Sequence, residues 1–215
     1  MQTKRKTSGF TVLELLVVVV MVFILAALIL PAVIRPPCVH STRIQCVNNL
    51  KQVGLAFRMW SDDNNNKYPM SFYTNDSGGL LFADATNGFR YFQAMSNELS
   101  TPKILVCPAD SRTAATNFLT DFNGFHLSYF VGLQADEARP AAFLSGDRNI
   151  TNGQKPINGI LELQTNQNIG WTSELHHGAG NVGVTDGSVQ QLSQIGLRAF
   201  AAHTGLATNR LLLPP

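Results

Sequence analysis

Charge is scarce in this chain: 14% of its 215 residues are charged, and the formal net charge is only +2. Nucleic-acid-binding domains carry a basic patch or stripe, and this balance supplies none. The three cysteines form no C-x-x-C pair, which excludes the usual structural zinc knuckle. There is no P-loop to cradle a nucleotide phosphate and no G-x-S-x-G elbow for a nucleophilic serine. Internal repeats are lacking, as are low-complexity tracts beyond Asn64-Asn65-Asn66. Gly178-Ala179-Gly180-Asn181-Val182-Gly183 matches G-x-G-x-x-G formally. A dinucleotide loop must lie between a strand and a helix, however, and a hairpin follows this one.

What is present begins with a long apolar run. Every residue from Leu15 to Leu30 is apolar, and Ala32, Val33 and Ile34 prolong the run past Pro31. About 20 such residues at ~1.5 Å each cover the ~30 Å core of a bilayer. A cleaved secretory signal has a shorter core followed by a small-x-small site; here the small residue, Gly9, precedes the run. The stretch reads as a retained anchor. Lys4, Arg5 and Lys6 stand before it, so the positive-inside rule leaves the N-terminus in the cytoplasm and residues after Ile34 outside. Removing residues 1–9 would take three of the 16 basic residues and no acid, leaving 13 against 14, or −1.

Glu14 is the lone carboxylate at the entrance to this run. A membrane-embedded charge costs ~2.5–3.5 kcal/mol at mid-bilayer, less near the interface. Gly9-Phe10-Thr11-Val12-Leu13-Glu14 closely resembles the N-terminus of type IV prepilins and type II secretion pseudopilins. The resemblance implies that a prepilin peptidase/N-methyltransferase cuts after Gly9 and methylates Phe10. It also implies that Glu14 neutralises the amine of a neighbouring subunit's Phe10, and that Pro31 is the helix-bending proline of such proteins.

Arg35-Pro36-Pro37 follows, and two prolines force a bend or break near Ile34. Pilin-like proteins often run this helix through, so the double proline departs from their pattern. Ile44, Val47, Leu50, Val53, Phe57 and Trp60 recur at steps of three and four, one apolar stripe on a stem helix. It ends at Ser61-Asp62-Asp63-Asn64-Asn65-Asn66, a turn-forming tract. Cys38, Cys46 and Cys107 all follow the anchor. Cys46 and Cys107 read equally as a pair that would return a loop to the stem or as free buried thiols. Cys46 to Ala56, with Asp63-Asn64, Tyr68-Pro69 and Cys107-Pro108-Ala109-Asp110, resembles planctomycete and verrucomicrobial pseudopilin-like proteins with a C-terminal H-x9-DG motif. That resemblance extends to the C-terminus.

Between the stem and that motif, Gly88 to Met95 reads as a short helix, and Pro102–Val106 and His126–Val131 as strands. Ile160–Leu163 and Asn168–Thr172 are weaker strand candidates. Gly183 to Gln191 reads as a hairpin about a type I′ Asp186-Gly187 turn, then Ser193 to His203 as a helix before an extended tail at 211–215. The aromatics Phe89, Tyr91, Phe92, Phe118, Phe122, Phe125, Tyr129 and Phe130 are expected in the core. The H-x9-DG element comprises His176, Asp186 and Gly187. A metal reading would combine His176 or His177 with Glu174, Asp186 or Asp147, but adjacent strand histidines face opposite ways. Calcium wants six or more oxygens, and Asp147 and Asp186 sit in no acidic loop. No cofactor is therefore expected, and His176 is read as bonding nearby backbone.

The expected architecture is α+β and pilin-like: a leader 1–9, an assembly helix 10–34, a stem 35–61 and a head 62–215 with a small antiparallel sheet. The resemblance implies a single-pass inner-membrane subunit of a type II secretion or type IV pilus-like filament, head outside the cytoplasm. Its partners would be the processing peptidase, other pilin-like subunits and the membrane, not nucleic acid. The rival class is a membrane-tethered enzyme or ligand-binding module using His176, His177, Asp186 and Asp147.

Overall fold

The computed structural model describes residues 11–33, 39–75 and 79–215, with side chains at all of these except 28–33 and 39–41. Gly9, Phe10 and the Pro36-Pro37 bend lie outside the described residues, as does the leader. The chain divides into two units, Met1–Cys38 and Val39–Pro215.

The first unit contains helix α1, Val12–Val33, whose backbone runs through Pro31. Its large apolar side chains from Val12 to Leu25 are 45–82% exposed on every side of the helix. Among the described residues no helix is long and apolar enough to cross a membrane; side chains of α1 are described only as far as Ala27. Its N-terminus is closed by a capping box: Thr11 Oγ1 accepts from the Glu14 amide at 3.3 Å, and a Glu14 carboxylate oxygen accepts from the Thr11 amide at 2.9 Å.

In the second unit, helix α2 (Val39–Asp63) leads into a short α3 (Pro69–Phe72), α4 (Arg90–Ala94) and α5 (Ser96–Leu99). Eight strands follow: β1 Tyr129–Gly132, β2 Phe143–Asp147, β3 Ile150–Thr151, β4 Ile160–Gln164, β5 Gly170–Trp171, β6 Gly180–Val184, β7 Val189–Leu192 and β8 Thr208–Leu212. Helix α6 (Gln194–His203) lies between β7 and β8, with Ser193 capping its first turn. Six strands form one antiparallel sheet in the order β4-β8-β1-β2-β6-β7, and β3 pairs with β5 separately.

The sheet is covered on both faces, so β1, β2 and β6 are buried at every residue. Alternation sorts their side chains: Tyr129, Val131 and Leu144 join the α2 cluster, while Phe130, Phe143 and Val182 join Leu197 and Ala201 of α6. On α2 the buried stripe is Cys46, Leu50, Val53, Phe57 and Trp60. Ile44, expected on it, is 45% exposed on another face. The helix ends where Asn65 and Asn66 adopt φ of 57° and 55°.

Four further expectations are corrected. Pro102–Leu105 is a 3-10 helix, not a strand, because Thr101 caps it and Pro102 opens it. His126 closes another 3-10 turn, so β1 starts only at Tyr129. The tail at 211–215 is partly strand β8, placed between β4 and β1 rather than trailing. Phe125 is 68% exposed, outside the core that holds the other seven aromatics or packs against them.

β1 and β2 approach closely at Gly132, where an added Cβ would fall 1.8 Å from the Phe143 carbonyl oxygen. Gly132→Ala should therefore lower the urea midpoint of the full chain by the equivalent of about 3 kcal/mol or more. An unchanged midpoint would show that the two strands separate freely.

Candidate functional site

Polar chemistry concentrates under α2, where a helix, a loop, a strand end and a turn meet. α2 contributes Cys46, and the loop after the Pro102–Leu105 turn contributes Cys107. The structure joins them in a disulfide with Cα atoms 5.1 Å apart. Against this bond lies His176, whose side chain is fully buried. Its Nε2 is 3.3 Å from Cys107 Sγ and 3.3 Å from an Asp147 carboxylate oxygen. Asp147 ends β2 and is itself fully buried. The same oxygen, Oδ2, accepts from the Asn181 amide and the Asn181 Nδ2, both at 2.8 Å.

His176 reaches this place because its segment is not a strand. His176, His177 and Gly178 take φ of 50°, 54° and 77°, three successive left-handed residues in a tight turn. Adjacent histidines therefore do not simply alternate across a sheet: His176 enters the core and His177 stays exposed. Asn149 holds the turn in place, its Nδ2 lying 2.9–3.1 Å from the carbonyls of Thr172, Leu175 and Ala179.

Burial dominates the electrostatics. It pushes the Asp147 carboxyl up to about 7, against the opposing pull of the Asn181 donors. It pulls His176 down to about 4, with the Arg43 and His177 charges acting in the same direction. Tyr129 nearby is raised well above its usual range by burial, then by the Asp147 charge. Several buried atoms here have no hydrogen-bond partner, among them Asp147 Oδ1, His176 Nδ1 and Asn181 Oδ1.

The outer side of this centre is closed by an ionic ladder. Arg148 donates to Asp110 through Nε at 2.8 Å and Nη2 at 3.0 Å, and to Glu174 through Nη1 at 2.7 Å. Arg148 follows Asp147, and Glu174 precedes His176 by two residues, so the ladder ties both to the Cys107-Pro108-Ala109-Asp110 loop. Beside it opens a groove of about 370 Å³, lined by Asn149, Thr151, Thr172 and Leu213 among others.

Asp186 and Gly187 are elsewhere. β6 lies between them and His176, and its five residues alone span ~16 Å. The expected type I′ turn is also corrected: Gly187 has φ 86° but Asp186 is not left-handed. Gly187 N donates to Val184 O at 2.9 Å and Val184 N to Ser188 O at 3.0 Å. This is a three-residue loop, a type I turn closed by a left-handed glycine. A Cβ on Gly187 would meet the Arg58 guanidinium of α2 at 3.0 Å. H-x9-DG thus marks the two ends of β6, each held against α2.

The metal set His176, Asp186 and Glu174 is accordingly not assembled: Asp186 is at the far end of β6 and Glu174 is paired with Arg148. Asp147 does meet His176, but its remaining neighbours are N–H donors, which do not suit calcium. Of the residues named for a tethered enzyme or binding module, His176 and Asp147 are brought together with fully buried side chains, His177 is exposed, and Asp186 lies at the other end of β6. Sequence reasoning quoted Asp110 only as part of a resemblance and gave no role to it, to Arg148 or to Asn149. The signal was there in Cys-Pro-Ala-Asp and Gly-Asp-Arg-Asn, two short segments each mixing a charge with turn residues. No protein-family model, curated protein or solved structure matches this chain.

Two outcomes follow from this geometry. Cys46 and Cys107 are 61 residues apart, so the Cys46→Ser/Cys107→Ser chain should unfold ~4 kcal/mol more easily by loop-closure entropy, read as a lower urea midpoint. Burial raises the Asp110 carboxyl, yet the Arg148 hydrogen bonds and the Arg148 and Arg112 charges outweigh it and hold it below its usual value. A carboxylate depressed on folding stabilises above the unfolded pKa of ~3.9 and loses that contribution as pH falls through its folded value. Urea midpoints measured between pH 2 and pH 5 should therefore drop more steeply with acid for the parent chain than for Asp110→Asn.

Proposed function

We propose that this chain is a prepilin- or pseudopilin-like structural subunit of a type II secretion or type IV pilus-like envelope filament. The observation that carries the reading is α1: a helix of 22 residues, apolar on all sides, with a single acid in its first turn. Large apolar side chains 45–82% exposed around a whole helix require lipid or other subunits to cover them. The Lys4-Arg5-Lys6 prefix and the Gly9-Phe10 junction supply the topology and cleavage signals of that family.

On this reading the precursor spans the inner membrane with its N-terminus in the cytoplasm and Val39–Pro215 outside. Prepilin peptidase removes residues 1–9 and methylates Phe10. Apolar helices then bundle in the filament, with Glu14 opposite a neighbour's Phe10 amine. The protein performs no covalent chemistry of its own. The disulfide suits an oxidising exterior.

Glu14 has a local role that must be separated from assembly, because its carboxylate also caps α1. Glu14→Gln keeps a capping side chain but removes the charge. It should reduce cross-linked multimers in membranes by about tenfold or more, equivalent to ~1.4 kcal/mol, while helix content stays unchanged. Multimers at parental level in Glu14→Gln, or a mature protein whose intact mass retains residues 1–9, would overturn the reading.

A further inference from the structure

We propose that the thiol form of this protein binds one thiophilic divalent cation, zinc by preference, through Cys46, Cys107, His176 and Asp147. The ligand atoms of Cys46, Cys107 and His176 lie within 4.8 Å of one another, all three residues being buried. Asp147 stands next to this group of three, its Oδ2 3.3 Å from His176 Nε2, and becomes the fourth ligand once the two sulfurs part. Zinc bonds of ~2.0–2.2 Å to nitrogen and oxygen subtend a tetrahedral edge of ~3.3–3.5 Å, the separation these two atoms already have. The 3.3 Å between His176 Nε2 and Cys107 Sγ lies close to the corresponding N–S edge.

A second observation points to a ligand independently of this spacing. Asp147 is 0% exposed, and its Oδ1 has no hydrogen-bond partner. A carboxylate with an unpaired oxygen in the core is costly to retain, and a cation bound at either oxygen of that carboxylate would neutralise it. Two thiolates, one imidazole and one carboxylate are a zinc donor set by softness and number. Calcium and magnesium, which prefer oxygen, are disfavoured.

The disulfide and the metal are alternative occupants of one space. While the two sulfurs are bonded to each other they offer no thiolate. Once each carries a proton, the cation enters with loss of two protons: Cys46–SH, Cys107–SH and M²⁺ give M(S)₂ and 2 H⁺. The newly made chain, before its disulfide forms, is in that state. The site is thus a folding aid for the thiol form that the disulfide later supersedes.

The test uses the full chain in detergent micelles with Cys38→Ser, so that the third thiol cannot supply a ligand. A phosphine reduces the disulfide, taking oxygen from water to become the phosphine oxide while the sulfurs become thiols; it is then exchanged out and Co²⁺ is titrated. The expected result is one cobalt per chain, with thiolate-to-metal charge-transfer bands, intense four-coordinate visible bands and displacement by zinc. The unreduced chain should give none of these. Reduced Asp147→Asn should bind cobalt about tenfold or more weakly, ~1.4 kcal/mol, and His177→Gln as the parent does. A reduced chain that folds without taking up stoichiometric metal overturns the proposal. So does cobalt binding without thiolate charge transfer. A reduced chain unfolded with and without metal overturns it as well, whereas one that folds only with zinc supports it.

Discussion

The attachment of α2 to the sheet is the constraint on which the head depends. Its apolar stripe, Leu50, Val53, Phe57 and Trp60, covers one face of strands that are buried on both faces. That stripe alone would permit sliding, since hydrophobic contact has no preferred register. A covalent bond and a close approach remove the freedom. At one end Cys46 is bonded to Cys107 and the bond is backed by His176; at the other Arg58 lies over Gly187. Arg58 is twelve helical steps from Cys46, ~18 Å, comparable with the length of β6 between its two grips. The nine-residue spacer of H-x9-DG therefore measures a strand against a helix.

The same arrangement explains why ionisable groups are tolerated in the interior. Asp147 receives two donors from Asn181 and faces a histidine that burial keeps neutral. The full ion pair is made by Asp110, whose carboxylate is buried, and the partly exposed Arg148, where two parallel hydrogen bonds form and Glu174 remains in reach of water.

Much of this organisation could be read from residue order, and the remainder shows where periodicity stops informing. The stem stripe was legible because Leu50, Val53, Phe57 and Trp60 repeat at helical steps. Ile44 fits the same steps, but it is 45% exposed on another face of α2, a tertiary fact absent from the pattern. Pro102 to Val106 looked like a strand by composition, yet a capping threonine before a proline favours a helical turn. Both Asp-Gly and His-His were visible, but their roles depend on backbone angles: a left-handed Gly187 after a right-handed turn, and a left-handed His176 that no propensity would nominate. The Asp110–Arg148 pair joins residues 38 apart in sequence, and a single sequence carries no record of such distance. Glu14 was noticed for its charge, whereas Thr11-x-x-Glu14 also spells a capping box.

The position of β8 has a temporal consequence. Residues 208–212 fill the gap between β1 and β4, bonding to both, so the sheet has a hole until residue 212 has been delivered. During synthesis β1 waits with an unpaired edge while about eighty residues arrive. Such an edge invites another chain's strand. Closure by a late strand makes completion of the head a checkpoint: a chain stopped before Leu212 would offer its neighbours an open sheet.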